Sequence, residues 1–314
     1  MPSILCADPW FTGPLLALPG QTVPRGHVNA SLSMPVALSS ANYNSEWRSF
    51  SQPTFKSTQI APEFIYGLAD RVDVQYDALY LINEHNQRSY EHLGDTSIML
   101  GFQALAQTQK NALPDLRITL QEIIPTGIYN QLAPLNNGTE ITGTGSYQTA
   151  LGLNFQYLKS FNDIHYLNSH LSFIYSHAAT VLLNGISAYG GTERTKGLIA
   201  PGDSVGINLA GEFTLTQHWV AVIEGNFIYQ QASRFRGSLG ENALAKVSTS
   251  RLSTLAGGGL RGIGNGDIDQ FTLSPGLEYN FSVNYGVIAG VWFTVAGKNA
   301  PSFVAPMMMF NAYW

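Results

Sequence analysis

The C-terminal stretch of the chain, from Pro301 to Trp314, is apolar at every second position. The positions on this face are Val304, Pro306, Met308, Phe310, Ala312 and Trp314. A period of two places these side chains on one face of a β-strand. Chain ends usually fray into water, so a soluble protein rarely ends on a fully apolar strand. A transmembrane β-barrel needs one, because its last strand closes the cylinder and faces lipid. The ending therefore predicts the closing strand of such a barrel.

The composition agrees with a chain of alternating strands. Charged residues make up only 12% of the sequence and hydrophobic residues 45%, a balance expected when apolar and small polar side chains alternate. No apolar run reaches about 18 residues, which excludes a transmembrane helix. The net charge of −5 gives no reason to expect a nucleic-acid partner.

Five segments alternate most clearly. One face of each is bracketed by Tyr, Trp or Phe, and the other carries mostly Asn, Gln, Ser and Gly. These segments are Val72–Ile82, Ser146–Leu158, Ser204–Leu215, Trp219–Gln230 and Gln270–Phe281. A soluble β-sandwich would carry charged outer faces, whereas aromatic bracketing is typical of a membrane-spanning barrel. We therefore predict an all-β fold over residues 28–314, a transmembrane antiparallel β-barrel of about twelve strands.

Three further segments fit this pattern less well. Pro35 interrupts the first candidate strand, and Pro62 interrupts the second. The segment Leu116–Ile124 would place Glu122 on the lipid face. A β-bulge at Ile123 and Ile124 would turn that carboxylate away from lipid.

The connections between the candidate strands alternate in length. The short ones are Leu68–Arg71, Gln107–Leu113, Ser160–Ile164, Thr216–His218 and Ser282–Asn284. The longer ones are Ser39–Pro53, Glu84–Leu93, Thr126–Gly145, Leu183–Gly202 and Ala232–Asp267. Short periplasmic turns and long external loops are the rule for bacterial outer-membrane barrels. The pattern therefore predicts a closed up-and-down meander in a Gram-negative outer membrane, with both termini in the periplasm.

The N-terminal residues divide into two parts. Residues 1–7 are interpreted as the remnant of a signal peptide that is cleaved after Ala7. A lipid anchor on Cys6 lacks the small residue expected before the cysteine, and an ordinary N-terminus stays open as an alternative. Residues 8–27 are rich in Pro and Gly, without a period. They form either a disordered lead-in, which is the preferred interpretation, or a segment tucked into the barrel mouth.

Charged and amide side chains are predicted on the inward faces of the strands. The candidate lumen-lining and selectivity residues are Glu63, Asp73, Asp77, Arg117, Gln148, Asn154, Gln156, Glu212, Glu224 and Glu278. A carboxylate keeps its hydration in a water-filled lumen but would be costly on the lipid face. An acidic lining favours cations. The alternative is a polar network that fills a narrow barrel, because about twelve strands lie between a filled eight-stranded barrel and an open porin.

Other patterns point to chemistry less strongly. His170 and Ser172 share a strand face near Asn168, which suggests a hydrolase arrangement, but they would face the lumen, and we expect no enzyme activity. The glycine-rich stretch Gly257–Gly266 lacks the strand and helix of a nucleotide loop. Asp267 and Asp269 form only a weak Ca²⁺ pair, so no metal or cofactor is predicted.

The longest loop is basic, and its residues either contact lipopolysaccharide phosphates or are solvated, which is the preferred interpretation. These residues are Arg234, Arg236, Lys246, Arg251 and Arg261.

Two resemblances add to these predictions. The terminal aromatic residue with its alternating apolar positions resembles the signal that the barrel-assembly machinery reads, although Trp314 replaces the usual Phe. Three motifs resemble the proteobacterial outer-membrane proteins grouped as phenol meta-pathway degradation transporters, over residues 60–314. These motifs are Gly94-Asp95-Thr96-Ser97, Pro125-Thr126-Gly127 and Gly143-Thr144-Gly145-Ser146-Tyr147 with the strand that follows. The second resemblance implies a β-barrel channel for small molecules.

The expected function is passive passage of small solutes, among them hydrophobic or aromatic ones. The expected partners are outer-membrane lipid and lipopolysaccharide, the assembly machinery and a small-molecule solute. The alternative is a surface barrel without transport, an adhesin or structural protein that acts through its external loops.

Overall fold

The computed structural model describes residues 9–108, 113–240 and 263–314. Within these ranges the regular secondary structure consists of β-strands and one 3-10 turn at Pro134–Asn136. The strands are β1 (Val28–Ser33), β2 (Val36–Tyr43), β3 (Ser49–Ala69), β4 (Val72–Asp77), β5 (Tyr80–His85), β6 (Arg88–Leu93), β7 (Thr96–Leu105), β8 (Asp115–Ile124), β9 (Gln148–Ser160), β10 (Tyr166–Ala178), β11 (Val181–Asn184), β12 (Lys196–Ala200), β13 (Ser204–Thr214), β14 (Trp219–Gln230), β15 (Arg234–Ser238), β16 (Ile268–Ser282), β17 (Tyr285–Lys298) and β18 (Pro301–Tyr313).

The strands form a closed antiparallel barrel of twelve wall strands. β1 and β2 are two parts of the first wall strand, β4 and β5 of the third, and β6 and β7 of the fourth. β18 pairs with β1, where Asn29 lies opposite Tyr313, and β1 also pairs with β3. The sheet therefore closes on itself, and the prediction that the C-terminal strand closes the barrel is confirmed.

Side chains alternate between an apolar outer face and a buried inner face. In β7, Ile98, Leu100 and Phe102 are each more than two-fifths exposed, whereas Met99 and Gln103 are buried. The exposed positions of the other wall strands are also mostly apolar. An outer surface of this kind is stable in hydrocarbon and costly in water. Among the described residues, no helix has the length and apolarity of a helical membrane span.

The two prolines that disturb the sequence pattern lie at positions where the sheet needs no backbone N–H donor. Pro35 follows Met34 in the gap between β1 and β2. Pro62 lies inside β3, and its carbonyl accepts a hydrogen bond from the N–H of Ala78 at 3.1 Å. Ala78 belongs to the break between β4 and β5. Each proline therefore coincides with a divided wall strand, which accommodates its missing N–H.

Glu122 lies on the outer face of β8, where the alternation placed it, and the bulge that would turn it away from lipid is not formed. Its register partners are Ile98 and Thr149, and pairing continues through Ile123 without a shift. The Thr149 hydroxyl donates a hydrogen bond of 2.6 Å to Glu122 Oε2. Glu122 lies two residues before the end of β8. The cost of an outward charge falls to about 0–1 kcal/mol near the membrane interface, so no bulge is required there.

The barrel has two different ends. Residues 70–71, 161–165, 215–218 and 283–284 connect strands at one end, called here the short-turn end, where both Val28 and Trp314 lie. The opposite end is called the long-loop end. Two connections predicted as loops, Ser39–Pro53 and Glu84–Leu93, are instead mostly strand extensions of the wall. Asn86 and Gln87 both have positive φ, which matches the twist of a tight hairpin and explains the extension of β5 into β6.

The long-loop end carries a second small sheet. β12 pairs with β11 on one side and with β15 on the other, and the three strands continue the wall strands β10, β13 and β14. The buried side chains Val181, Leu183 and Ile199 of this sheet pack with Tyr189 and form a compact apolar core. Five predictions lie wholly or partly outside the described residues: the signal-peptide remnant at residues 1–7, the connections Gln107–Leu113 and Ala232–Asp267, the glycine-rich stretch at residues 257–266, and the basic positions Lys246, Arg251 and Arg261.

Candidate functional site

The structure buries the predicted lumen residues to different degrees. Asp73, Arg117, Asn154, Glu212, Glu224 and Glu278 are at most 1% exposed, and Glu63, Asp77, Gln148 and Gln156 are partly buried. Because their strand neighbours point outward, these side chains face the barrel interior. Gln75 links two of the acids, since its Nε2 donates to Glu63 Oε2 at 2.8 Å and to Asp77 Oδ1 at 2.9 Å.

The N-terminal segment, residues 9–27, lies inside the barrel at the short-turn end. Its Trp10 carbonyl accepts a hydrogen bond from Asn280, and its Gly26 N–H donates to the Gly67 carbonyl at 2.9 Å. The preferred interpretation of a disordered lead-in is therefore wrong for these residues. The physical reason is that the inward acids and amides accept hydrogen bonds, and the backbone of this segment supplies the donors.

Glu224 is the principal anchor of the segment. Its carboxylate accepts hydrogen bonds from three consecutive N–H groups: Leu15 at 2.5 Å, Leu16 at 3.0 Å and Ala17 at 2.9 Å. A buried carboxylate that accepts several N–H groups is held far more strongly than an unpaired one. The Glu278 carboxylate accepts the N–H of Thr12 in the same manner.

Four further side chains extend this contact around the interior. Gln156 Oε1 accepts the N–H of Gly20 at 2.9 Å, Gln103 Oε1 that of Thr22 at 2.6 Å, and Asp73 Oδ2 that of Val23 at 3.0 Å. Asp115 Oδ2 accepts a bond from the Gln21 side chain at 2.7 Å. The sequence analysis missed Gln103 and Asp115, because both lie close to a strand end where alternation is short.

Wall glycines make room for the segment. A Cβ atom on Gly67 would lie 2.0 Å from the Pro24 carbonyl oxygen, and one on Gly290 would lie 2.6 Å from Leu15 Cδ1. Real atoms do not approach this closely, and the atoms around Gly67 are backbone atoms of Val23 and Pro24, so a larger residue at position 67 would displace the segment. The wall is therefore shaped to accept it.

Arg117 and Asp73 form a buried ion pair beside the segment. Arg117 Nη2 and Nε donate to Asp73 Oδ1 at 2.8 and 3.2 Å. The other carboxylate oxygen of Asp73 bonds Val23 of the segment. Breaking a buried pair of this kind typically costs about 3–5 kcal/mol, so the pair fixes this side of the interior.

One wall of the interior is apolar, which the sequence analysis did not predict. Val220, Val222, Ile288, Met307 and Met309 are buried together, and Leu15 of the segment packs on them. In β17 and β18 both strand faces are largely apolar, so the inward face has no polar signature. The interior is therefore amphipathic, and its apolar cluster lies among the acids, because Glu278 is the register partner of both Val220 and Ile288.

An aromatic pair stands beside this apolar wall. Trp292 packs against the apolar cluster, and its ring meets the ring of Phe303 edge-on at a centroid distance of 4.7 Å. Three nearby buried polar atoms have no hydrogen-bond partner within the described part of the chain: Trp292 Nε1, Ser274 Oγ and Thr272 Oγ1. Buried polar atoms are normally paired with protein or water, so these atoms are available to water or to a solute.

The hydrolase arrangement is not assembled. His170 Nε2 lies 2.8 Å from Glu212 Oε2 and 3.0 Å from Asn168 Nδ2. Ser172 Oγ has no hydrogen-bond partner among the described atoms. His170 is therefore oriented by Glu212 and does not contact the hydroxyl that it would have to activate. Asp267, one of the two candidate Ca²⁺ ligands, instead pairs with Lys298 at 2.5 Å.

Replacement of Glu224 by Gln tests the anchoring of the segment. Gln offers one acceptor oxygen and places an N–H₂ group against N–H donors, so we expect a loss of about 1–3 kcal/mol at this contact. Amide hydrogen exchange at Leu15, Leu16 and Ala17 should then accelerate by about 5- to 150-fold. Glu140→Gln is the matched control, because Glu140 accepts the N–H of Ala133 at 2.8 Å in the loop between β8 and β9, and it should leave the amides of the segment unchanged. Equal exchange in all three proteins would contradict the anchoring.

The sequence has no match among family models or among curated proteins. The resemblance to the phenol meta-pathway family therefore stays a prediction.

Solved structures are similar in fold. An outer membrane channel from Pseudomonas putida F1 matches with a TM-score of 0.67 at 12% identity, covering 95% of this chain and 100% of that one. The transport unit of the autotransporter AIDA-I from Escherichia coli matches with a TM-score of 0.47 at 9% identity, covering 92% and 91%. The NanC porin matches with a TM-score of 0.45 at 6% identity, covering 90% and 99%. Since only the first score exceeds 0.5, that similarity alone informs the fold, which is that of an outer-membrane β-barrel.

Proposed function

We propose that this chain is an outer-membrane channel for the passive passage of small solutes. The observation that carries the proposal is the amphipathic interior of a closed barrel, in which a noncovalently held segment occupies one end. The bonds to Glu224, Gln103 and Asp73 are all hydrogen bonds and can open without breaking the wall. The shared fold with an outer membrane channel supports the same function.

The solutes that this interior fits best are small and partly apolar, including aromatic ones. The apolar wall with Trp292 and Phe303 offers aromatic contact. The unpaired Ser274 hydroxyl can donate one hydrogen bond to a solute and accept others from it. The unpaired Trp292 Nε1–H beside this wall can donate one more. The resemblance to phenol meta-pathway transporters points in the same direction.

Charge should also select among solutes. The inward carboxylates described above are Glu63, Asp73, Asp77, Asp115, Glu212, Glu224 and Glu278, and Arg117 is already paired with Asp73. A lumen lined in this way is negative, and we propose that it prefers cations over anions. In this proposal the short-turn end and both termini face the periplasm, and the assembly machinery reads the C-terminal strand.

Current recordings in planar bilayers test the channel proposal. Deletion of residues 10–22 removes most of the segment from the interior, so single-channel conductance should rise several-fold over the wild type. The current should favour K⁺ over Cl⁻ because of the inward acids. Arg25→Gln is the control, because Arg25 is an exposed residue of the segment outside the deletion, and its conductance should stay close to the wild-type value. Anion selectivity would contradict the acidic lining. Absence of current from every variant would favour the non-transport surface barrel.

Binding of 2-phenylethanol tests the aromatic contact. In the detergent-solubilised protein, Trp292→Ala should weaken binding about 3- to 10-fold, since an aromatic pair contributes about 0.5–1.5 kcal/mol beyond burial. Trp219→Ala is the matched control, because Trp219 lies exposed on the outer face. An equal loss for both variants, measured by titration calorimetry, would show that the solute binds elsewhere.

A further inference from the structure

The outer face of the small sheet at the long-loop end combines leucines with basic side chains. Leu182 of β11 lies opposite Leu198 of β12, and Leu198 lies opposite Arg236 of β15. Lys196 and Arg234 belong to the same face, and all five side chains are exposed. The face is therefore a compact surface with an apolar part and a basic part.

This face points away from the barrel interior, because the opposite face packs with Ile141, whose carbonyl accepts a hydrogen bond of 2.9 Å from the inward side chain of Asn83. The opposite face of the small sheet, with Val181, Leu183 and Ile199, is buried in the loop core. The three strands follow the order of the wall strands β10, β13 and β14 that they extend. The N–H of Gln231 donates to the Asp203 carbonyl at 2.9 Å and so continues the β13–β14 ladder across the junction.

The level of the basic side chains corresponds to lipid headgroups. Tyr147 and Tyr175 are about half exposed at the long-loop end of the outer surface, where aromatic residues mark the membrane interface. Arg234 follows β14 after a link of residues 231–233, and Arg236 and Lys196 lie farther from the bilayer. The cations therefore begin just beyond the interface.

The basic side chains are not neutralised within the described part of the chain. None of Lys196, Arg234 and Arg236 forms an ion pair within 4.0 Å among the described residues. The nearby acid Asp203 is already engaged, since Tyr175 and His177 each bond it at 2.7 Å. The hydrogen bond from Tyr175, followed by that from His177, holds the pKa of Asp203 below its ordinary value, so it stays an anion bound to those two partners.

We infer that Lys196, Arg234 and Arg236 bind the phosphate groups of a phosphorylated glycolipid in the leaflet at the long-loop end, with Leu182 and Leu198 against its apolar part. Guanidinium groups bind phosphate in a bidentate manner. Each cation near an anionic membrane surface also adds to the binding free energy. This surface is separate from the barrel interior, so the inference does not depend on solute passage.

Binding of bisphosphorylated lipid A to the full chain in phospholipid nanodiscs tests the inference. Each cation near an anionic surface contributes about a fivefold gain. The triple variant Lys196→Gln, Arg234→Gln and Arg236→Gln should therefore bind about 100-fold more weakly than the wild type. Dephosphorylated lipid A should bind the wild type and the triple variant equally weakly.

The matched control removes the same charge from another part of the long-loop end, through Arg48→Gln, Lys56→Gln and Arg88→Gln. Its affinity should stay within about twofold of the wild type, because surface charges beyond a Debye length are screened. Three results would overturn the inference: equal affinity of the wild type and the first triple variant, an equal loss in the control, or binding that does not depend on phosphate. Heat-modified migration on a gel confirms that each variant is folded.

Discussion

The structure depends on the pairing of backbone polar groups where no water can reach them. In hydrocarbon each unpaired N–H or C=O group costs several kcal/mol, so a sheet that spans a membrane must have no open edge. The pairing of β18 with β1, from Asn29 and Tyr313 to Ser33 and Met309, removes that edge. The apolar outer face, the short turns at one end and the position of the chain termini all follow from this closure.

Closure creates a second problem inside the barrel, and the N-terminal segment resolves part of it. Glu224 and Glu278 are buried acids on inward strand faces, and a buried carboxylate is unstable without donors. The segment from residue 9 to residue 27 has no secondary structure of its own, so its N–H groups are free to bind these acids. The carboxylates therefore gain hydrogen-bond donors, and the backbone N–H groups of the segment gain acceptors. The segment is held at the short-turn end by these inward acids.

The sequence alone predicted the barrel because the alternation of apolar and polar residues recurs in one strand after another along the chain. Strand positions, the closing role of Pro301–Trp314 and the short connections were all predictable. The apolar inner wall at Ile288 and Met307 was not, because alternation identifies an inner face only when the two faces differ in polarity. The position of the N-terminal segment was not predictable either. Its contacts use backbone N–H groups, and every residue except proline carries one.

The same limit explains the errors near the strand ends. Ser39–Pro53 and Glu84–Leu93 are polar, so they resemble loops, yet they extend the wall beyond the membrane, where outward polar side chains cost nothing. Glu122 needed no bulge because it lies at a strand end, where its Thr149 partner and the interface accommodate the charge. In both cases the cost of an outward polar side chain depends on its depth in the membrane, and the sequence does not give that depth.

The most direct measurement of the central claim is the accessibility of nitroxide labels along β13 in phospholipid vesicles, with Cys6 replaced by Ser. Labels at Val205, Ile207 and Leu209 should collide with lipid-soluble oxygen, and labels at Gly206, Asn208 and Ala210 should be protected from it. A period of two in oxygen collisions is the predicted result. Uniform access to a water-soluble nickel complex at all six positions would contradict a barrel whose apolar face meets lipid and whose polar face is enclosed.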